Sequence, residues 1–304
     1  LHVHDLPLTG SAYKVAKNLN IKLVVDLHEN YPEMLRESKK KRLLDEFTLP
    51  QIVLKLTSIK RWKNYEKRIL NKVDNIIVVI EEARNRLINE INVNEKKIRV
   101  IPNYDTIRKY DYDKVKNKKI TLVYSGGFGS TRDLKTIIYS INKLNSELKE
   151  KLCIKLIGGT GREYDEIQAL IKSQNTQNIV KLYNFMPFEE MYKHLISSDI
   201  GMVPHRKSKH TDNTIPHKLF QYMNLGMPII SSNCTPLERI INDSRCGLIY
   251  EAENPHSLAL VIEEMCKNQN ERRLMSQNSK KAIVEKYNWN ICENRLIELY
   301  DDLI

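Results

Sequence analysis

A glycine-rich segment with one arginine is the clearest candidate for chemistry in this sequence. It reads Tyr-Ser-Gly-Gly-Phe-Gly-Ser-Thr-Arg over residues 124–132, between a short apolar run and a helical pattern. Glycines let the backbone approach a phosphate, helix N-terminal N–H groups point at it, and Arg132 can add a charged fork. The spacing matches neither the P-loop nor the dinucleotide-binding fingerprint. The segment predicts an anion site, with a purely structural strand-to-helix turn as the alternative.

A second glycine turn follows the next apolar run. It reads Ile-Gly-Gly-Thr-Gly-Arg over residues 157–162. Because consecutive parallel strands end at the same edge of a sheet, both glycine turns are expected at one carboxyl edge, where open α/β sheets bind ligands. The pair of turns therefore favours a binding site more than either turn does alone.

A third segment, residues 212–230, runs from a polar loop through a helical pattern to a buried strand. The helix is predicted to begin at Pro216 and to end at Gly226, so that its first turn would form another anion site. Lys218 would lie in that first turn, where the helix dipole disfavours a cation. A bound phosphate explains this placement, and a solvated lysine is the alternative.

Short apolar strands that alternate with helical patterns must position these segments. Strands are predicted at 2–4, 22–26, 75–79, 98–101, 120–124, 153–157, 179–183, 200–203, 228–231 and 247–250. Helices are predicted at 11–19, 50–73, 81–91, 134–144, 163–173, 188–197, 216–225, 255–267 and 289–304. Strands that are apolar on both faces and alternate with helices indicate doubly wound α/β units.

The polar stretch after the fourth strand divides the chain into two Rossmann-like domains. We expect a partial first domain at 1–105, a linker at 106–118 and a ligand-binding domain at 119–286. The last helix, 287–304, is predicted to cross back to the first domain. Only four strands precede the linker, and the chain opens without a Met, so the first domain is expected to be incomplete.

The composition excludes several classes of protein. The chain has 304 residues, with 49 Lys and Arg against 38 Asp and Glu, a formal charge of +11. Its apolar content excludes disorder, and no apolar run is long enough to cross a bilayer. The five cysteines are odd in number and widely spaced, so no disulfide framework or zinc site is expected and a cytoplasmic location is favoured.

Five motifs occur in a specific order along the chain from residue 124 onward. They are Tyr-Ser-Gly-Gly with Arg132, Ile-Gly-Gly-x-Gly, Leu-Tyr-Asn-Phe-Met-Pro-Phe-Glu-Glu-Met-Tyr, Asp-Ile-Gly-Met-Val-Pro, and Asn-x-x-Pro-x-Lys-Leu-Phe-Gln-Tyr-Met-x-x-Gly-x-Pro, which ends at Pro228. In this series the chain resembles glycosyltransferase family 4, which has the GT-B fold. His-Val-His-Asp-Leu-Pro at 2–7 and Asp-Leu-His-Glu-Asn-Tyr-Pro-Glu at 26–33 are similar to that family's acceptor-side strand ends.

The resemblance implies an α/β GT-B fold, with two Rossmann-like domains facing across a cleft, and a retaining transfer of a sugar from a UDP- or GDP-linked donor. The acceptor would be a glycan or a lipid-linked sugar. No cofactor and no metal are implied, because the nucleotide sugar is a substrate. By position, the donor diphosphate would be held by Gly126, Gly127, Arg132 and Lys218.

The resemblance assigns the donor nucleoside to Gly158, Gly159, Phe185 and Gln221. The family's paired glutamates, eight residues apart, fall here on Asn213 and Gln221, which are amides and cannot act as carboxylates. Asn213 can still hydrogen-bond sugar hydroxyls, and it is the second candidate catalytic residue.

His4, at the end of the first strand, is the other candidate catalytic residue, predicted to face the sugar. A core histidine is the alternative, and His2 is predicted to lie on the opposite face. Without a regular ligand spacing, the histidines of this region do not predict a metal site. Weaker candidates for the site are His28, Glu29, Thr214 and Glu238.

Residues 33–72 concentrate the positive charge. They hold twelve Lys and Arg against five Asp and Glu, which is +7 of the total. A basic amphipathic helix with Trp62 predicts peripheral docking on an anionic membrane surface, and a solvated face over an apolar stripe is the alternative. Nucleic acid is not an expected partner, because no nucleic-acid module accompanies the charge.

Two other functions are compatible with the same fold. A sugar-nucleotide epimerase would bind the same donor without transferring its sugar to an acceptor. A catalytically weakened donor-binding or scaffold subunit would fit the amides at Asn213 and Gln221.

Overall fold

The computed structural model describes residues 1–44, 58–107 and 118–303. Its contacts divide the chain into two compact units. The first holds Leu1–Asn103, Ser208–Ile215 and Trp289–Ile304, and the second holds Tyr104–Lys207 and Pro216–Asn288. The sequence instead predicts that 208–215 belong to the second domain, because nothing in that loop indicates its tertiary partners.

The first unit is built on a parallel sheet of four strands in the order β1-β2-β3-β4. The strands are β1 His2–His4, β2 Val24–Leu27, β3 Asn75–Val78 and β4 Ile98–Val100. The accompanying helices are α1 Leu6–Leu19, α2 Tyr31–Leu44, α3 Ile59–Leu70 and α4 Glu81–Asn89. The two central strands carry consecutive buried Val and Ile side chains, as strands covered on both faces require.

The second unit contains a parallel sheet of six strands in the order β10-β9-β8-β5-β6-β7. The strands are β5 Ile120–Ser125, β6 Leu152–Gly159, β7 Val180–Asn184, β8 Ile200–Val203, β9 Ile229–Ser232 and β10 Gly247–Tyr250. The helices are α5 Leu134–Ile141, α6 Ser146–Lys151, α7 Gly161–Ser173, α8 Phe188–Ile196, α9 His217–Asn224, α10 Thr235–Ser244, α11 Pro255–Lys267 and α12 Gln269–Glu285. This is the strand order of the doubly wound dinucleotide-binding fold, which reverses between β5 and β8.

The last helix, α13 (Trp289–Asp301), packs within the first unit. Arg99, in β4, approaches Asp302 with 3.5 Å between its nitrogen and the carboxylate oxygen, and Tyr300 contacts His2. A buried bidentate pair between Glu66 and Arg86 joins α3 to α4 in the same unit.

All ten predicted strands are present, each with ends within two residues of the predicted ones. The helices differ more. Helix α1 begins at Leu6 rather than at residue 11, and α2, α6, α10 and α12 are not predicted. Helix α12 buries only Ser279 and Ile283, so it lacks the apolar stripe by which helices are recognised.

The predicted long helix at 50–73 is described from Ile59 to Leu70, and its first residues lie outside the described part of the chain. The same holds for the linker at 106–118, of which 108–117 lie outside it. Among the described helices, none is both long and apolar enough to span a bilayer.

Candidate active site

A cavity of about 500 Å³ opens in the second unit where β5 ends. Its position agrees with the reversal of strand order between β5 and β8, the place where ligands bind to sheets of this kind. The residues that line it come from the glycine-rich segment, from α8 and from the start of α9. They are Ser125, Gly126, Gly127, Gly129, Thr131, Arg132, Met191, Pro216, His217, Lys218 and Gln221.

The two glycine turns meet at the rim of the sheet. Gly126 has φ +131° and Gly158 has φ +107°, values that side-chain-bearing residues rarely adopt. A Cβ atom on Gly158 would lie 2.8 Å from the backbone oxygen of Gly126, so the two turns touch backbone to backbone. Glycine is therefore required at both positions for the turns to form, whatever they bind.

Lys218 occupies the first turn of α9 and is buried. Its Nζ lies 4.0 Å from the centroid of the Tyr124 ring, and a Cβ atom on Gly126 would lie 2.8 Å from the same nitrogen. Burial, and then the nearby Arg132, lower the pKa of Lys218 well below its ordinary value. The chain thus holds an ammonium group against the glycine turn at an electrostatic cost.

Arg132 is held on the other side of the same turn. Its backbone N–H donates to the Gly129 carbonyl at 2.9 Å, and its guanidinium donates to the Thr131 hydroxyl at 2.8 Å. An isolated antiparallel bridge to His205, just after β8, fixes the backbone of this arginine. The segments that follow β5 and β8, the strands on the two sides of the reversal in strand order, therefore together position the guanidinium.

The start of α9 adds partial positive charge to the cavity. Pro216 caps the helix without a side-chain hydrogen bond, and the residues that follow line the cavity. First-turn N–H groups and the helix dipole favour an anion at this end. With Lys218, Arg132 and no Asp or Glu among its lining residues, the described cavity is suited to a phosphate or diphosphate.

Of the predicted nucleoside residues, only Gln221 lines this cavity. Gly159 is packed under the rings of Phe128 and Tyr164, and its carbonyl accepts the Phe185 N–H at 3.1 Å. The Phe185 side chain is 75 % exposed, which is unusual for a phenylalanine. Gly159 is the last residue of β6, which pairs with the strand that carries the glycine-rich segment, and Phe185 directly follows β7, the next strand of the sheet.

A second polar cluster lies at the strand ends of the first unit. His4 Nδ1 and His28 Nε2 are 3.6 Å and 3.5 Å from Asp26 Oδ2, and the two imidazole rings stack with centroids 5.4 Å apart. Interaction with Asp26 raises the pKa of His28 to about 9 against the opposing effect of burial. Burial raises the pKa of Asp26, but His2 and His28 together outweigh it and lower that pKa to about 2.

His2 belongs to this cluster, so its predicted placement on the opposite face is wrong. Its ring centroid lies 4.8 Å from that of His4, and its Nε2 lies 3.7 Å from Asp26 Oδ2. Residues two apart on a strand share a face, so the side chains of His2 and His4 lie on the same side of the sheet.

The remaining first-unit candidates lie next to this cluster or on the loop 208–215, which belongs to the first unit. The Thr214 hydroxyl donates to the His28 carbonyl at 3.2 Å, and Glu29 lies 4.0 Å from His210. Asn213 ends a 3-10 helix, and its side-chain amide donates to the Lys209 carbonyl at 2.8 Å.

Comparison with known proteins decides the family. Residues 108–282 match the model of the glycosyl transferases group 1 family, and residues 1–104 match that of glycosyltransferase family 4. The chain belongs to the glycosyl transferases group 1 family. An uncharacterized glycosyltransferase of Methanocaldococcus jannaschii, MJ1069, is 23 % identical over 249 residues, which cover 80 % of this chain and 62 % of the relative. The chain thus spans less than two thirds of that relative's length.

Solved structures show the fold. Sucrose-phosphate synthase from Thermosynechococcus elongatus is similar with a TM-score of 0.79 at 15 % identity, over 99 % of this chain and 73 % of that one. Anabaena HepE in complex with UDP is similar with a TM-score of 0.74 at 12 % identity, over 99 % and 79 %. With its two parallel sheets, this group 1 chain has the GT-B fold, and the predicted family and fold are confirmed.

The two amide positions fall in different units of this group 1 chain. Gln221 lines the cavity in the second unit, while Asn213 lies on the loop that the structure groups with the first unit. Glu238, in α10, is half-buried and is not among the residues that line the cavity. The structure therefore joins the four predicted diphosphate residues and Gln221 in one cavity, and groups His4, His28, Glu29, Asn213 and Thr214 with the first unit.

Several lining residues are not predicted from the sequence. Thr131 and His217 each stand one position before a predicted cation, so proximity to Arg132 and Lys218 is a signal that could have found them. Met191, from α8, reaches the cavity through tertiary packing alone, and no local pattern indicates it.

Proposed function

We propose that this group 1 family member is a retaining glycosyltransferase that takes a sugar from a UDP- or GDP-linked donor without a metal ion. The cationic cavity of the second unit carries the proposal. It brings the buried Lys218, Arg132, the glycine turn at 126–129 and a helix N-terminus together around one cavity. UDP is present in the similar Anabaena structure, which supports a nucleotide ligand for this fold.

The proposed mechanism is electrostatic. When a glycosidic bond to a diphosphate breaks, negative charge develops on the leaving phosphate oxygen. Lys218 and Arg132 would stabilise that charge, together with the first-turn N–H groups of α9, and preorganised groups of this kind supply much of an enzyme's rate enhancement. No protein carboxylate is needed for this step, which fits the amides at Asn213 and Gln221.

The other site residues take roles by position. Gly158, Gly159 and the exposed Phe185 are proposed to hold the nucleoside, with Gln221 reaching the ribose. His4 and Asn213 are proposed as the groups that hydrogen-bond the transferred sugar or the acceptor. The acceptor in this proposal is a glycan or a lipid-linked sugar.

A basic aromatic groove of about 690 Å³ in the first unit supports the lipid-linked acceptor and a peripheral position on an anionic membrane. Trp62 packs edge-on against Tyr31 and Tyr65, with ring centroids 4.7 Å and 5.6 Å apart. The groove combines the rings of Tyr13, Trp62 and Tyr65 with cations that suit phosphate head groups. It is lined by Pro7, Gly10, Ser11, Tyr13, Lys14, Arg61, Trp62, Tyr65, Arg68, Ile69 and Lys72.

Flotation with vesicles separates this role from a solvated basic face. We expect the chain to float with vesicles that contain anionic lipid and not with neutral ones. Replacing Arg61 and Arg68 with Gln should abolish flotation, while replacing Lys149 and Lys172 of the second unit should not. Equal flotation of both double variants would contradict the membrane role of the groove.

Donor turnover tests the central proposal. The chain is incubated with UDP- and GDP-sugars, and release of the nucleoside diphosphate is followed with and without candidate acceptors. Lys218→Met is expected to lower turnover about 100-fold to 1,000-fold, as loss of one transition-state donor does. Lys172→Met, an exposed lysine on α7, is the matched control. Turnover that survives Lys218→Met would refute the assigned site, and the anomeric configuration of the product tests retention.

A donor-binding subunit without transfer is the second candidate, favoured by the two amides. Gln221→Glu and Asn213→Glu restore the family's carboxylates and separate the two functions. A large gain in transfer would indicate a chain that binds donor but has lost catalysis. A loss of transfer would show that the amides are the working residues of an active enzyme.

A further inference from the structure

Three imidazoles converge on one carboxylate oxygen in the first unit. His2 Nε2, His4 Nδ1 and His28 Nε2 lie 3.7, 3.6 and 3.5 Å from Asp26 Oδ2. The residues come from the ends of β1 and β2 and the loop that follows, so the parallel pairing of these strands creates the cluster. Nothing in the proposed sugar transfer requires four such groups around one point.

The separations suit ligands of a shared ion better than hydrogen bonds. A hydrogen bond between nitrogen and oxygen needs about 3 Å, and contacts near 3.6 Å do not qualify. Two ligands of a tetrahedral zinc ion, each about 2.0–2.1 Å from the metal, lie about 3.4 Å apart. The three contacts are within about 0.3 Å of that spacing.

Neighbouring groups orient the ligand atoms. The second nitrogen of His2, Nδ1, is hydrogen-bonded to the Tyr300 hydroxyl, and Nδ1 of His28 lies 3.5 Å from Asp5 Oδ1. In His2 this hydrogen bond leaves Nε2 facing Asp26, the outer-sphere arrangement common for metal-bound histidines. His28 also directs its Nε2 towards Asp26. In the described part of the chain, His2 Nε2 and Asp26 Oδ1 are both buried without a hydrogen-bond partner.

We propose that His2, His4 and Asp26 bind a divalent transition-metal ion, with Zn²⁺ the best match and His28 as a further ligand. Ligand atoms of the first three residues lie within 4.8 Å of one another. Imidazole nitrogens with one carboxylate suit Zn²⁺, Ni²⁺ or Cu²⁺, whereas Mg²⁺ and Ca²⁺ prefer oxygen ligands. The site belongs to the first unit and not to the cavity of the second.

The metal site stands independently of the proposed transfer, but the two share His4. A metal ion that takes His4 Nδ1 removes that nitrogen from any acceptor sugar. Zn²⁺ is therefore expected to inhibit transfer, and this consequence alone rests on the proposed function. Binding measured without donor or acceptor tests the site by itself.

Calorimetric titration of the tag-free chain with ZnCl₂ is the test, with MgCl₂ as the comparison. One Zn²⁺ per chain is expected, with no saturable heat from Mg²⁺. His4→Ala changes an exposed ligand and should weaken Zn²⁺ binding by more than 100-fold. His256→Ala removes an exposed histidine of the second unit and should leave binding unchanged. Circular dichroism confirms that each variant is folded.

Two further variants keep the test decisive. Tyr300→Phe removes only the hydroxyl that holds His2 and should weaken Zn²⁺ binding about 10-fold to 100-fold, as loss of an outer-sphere partner does. Asp26→Asn should weaken it further. Absence of saturable Zn²⁺ binding would overturn the proposal, because the cluster would then be an ion-paired group alone. Binding that His4→Ala and Asp26→Asn leave intact would place the metal elsewhere and overturn it equally.

Discussion

The phosphate cavity of the second unit and the histidine cluster of the first unit are assembled in different ways. The cavity comes from continuous segments, chiefly 125–132 and 216–221, in which glycines and cations follow one another along the chain. The cluster joins side chains from β1, β2 and α13, which no local motif links. A site made of contiguous residues can be recognised in a sequence, whereas one made by strand pairing cannot.

The two regions also differ in how their charges are balanced. In the cavity, burial and Arg132 lower the pKa of Lys218, so the free chain disfavours its own ammonium group. In the cluster, Asp26 and His28 stabilise each other's charged forms. The cavity therefore gains most from an added anion, while the cluster is already compensated internally.

Among the expected effects on nucleotide affinity and on stability, the largest is that of Lys218→Met on nucleotide affinity. Loss of a charge-assisted hydrogen bond costs about 1.5–3 kcal/mol, so the affinity for UDP or GDP should fall about 10-fold to 100-fold. The free energy of unfolding should rise by about 1 kcal/mol, because a buried amine is replaced by an apolar chain. Calorimetry and urea unfolding measure the two quantities.

Lys172→Met is the control for that comparison, because it removes a lysine from an exposed face of the same unit. It should leave both affinity and stability unchanged. A fall in stability for Lys218→Met would contradict the electrostatic account of the cavity, since it would show that the lysine contributes to the fold.

A smaller effect is expected from Gly126→Ala, paired with Gly127→Ala. Gly126 has φ +131° and no room for a Cβ beside Lys218, so alanine should cost about 1–3 kcal/mol of stability and weaken nucleotide binding. A Cβ on Gly127 meets no atom within 4 Å, so its alanine variant should stay within about 0.5 kcal/mol. Urea unfolding measures the stability of both variants. A Gly126→Ala variant as stable as Gly127→Ala would show that the turn tolerates side chains.

The lowered pKa of Lys218 gives nucleotide binding a pH dependence. A bound diphosphate stabilises the ammonium form, so binding takes up a proton wherever the free lysine is neutral. Affinity should then fall as pH rises, by at most about 10-fold per pH unit. The unfolded chain binds more protons than the native chain in this range, so the contribution of Lys218 to stability should increase with pH.

Calorimetry above about pH 7, where the terminal phosphate has already lost its second proton, measures this slope. Lys218→Arg keeps a permanent charge and should show no slope, whatever its absolute affinity. A slope that persists in Lys218→Arg would assign the proton to another group.

The smallest effect is expected from Phe185→Ala. The ring is 75 % exposed, so its removal should change stability by less than about 0.5 kcal/mol. If the ring stacks on the donor base, the affinity for the nucleoside diphosphate should fall about 5-fold, while the affinity for inorganic pyrophosphate should not change. Equal losses for both ligands would place Phe185 outside the nucleoside site.

The sequence predicts the framework and one of the two regions well. Short apolar runs between helical patterns are enough to locate all ten strands, and the first glycine turn with Lys218 identifies the cavity. Helix α12 is missed because it buries so little, and the unit to which 208–215 belong depends on contacts such as that between Thr214 and His28. Such contacts join residues far apart in sequence, so the hydrophobic periodicity of the sequence does not indicate them.

Thermal unfolding of the unmodified chain with UDP, GDP, ADP and CMP in parallel, without metal, tests the central claim most directly. A ligand at 100 times its dissociation constant adds about 2.7 kcal/mol to the state that binds it, which for a unit of this size raises Tm by about 5–10 °C. The account predicts such a rise with UDP or GDP and none with CMP. An unchanged Tm with all four nucleotides would contradict it and leave the glycine turns with a structural role only.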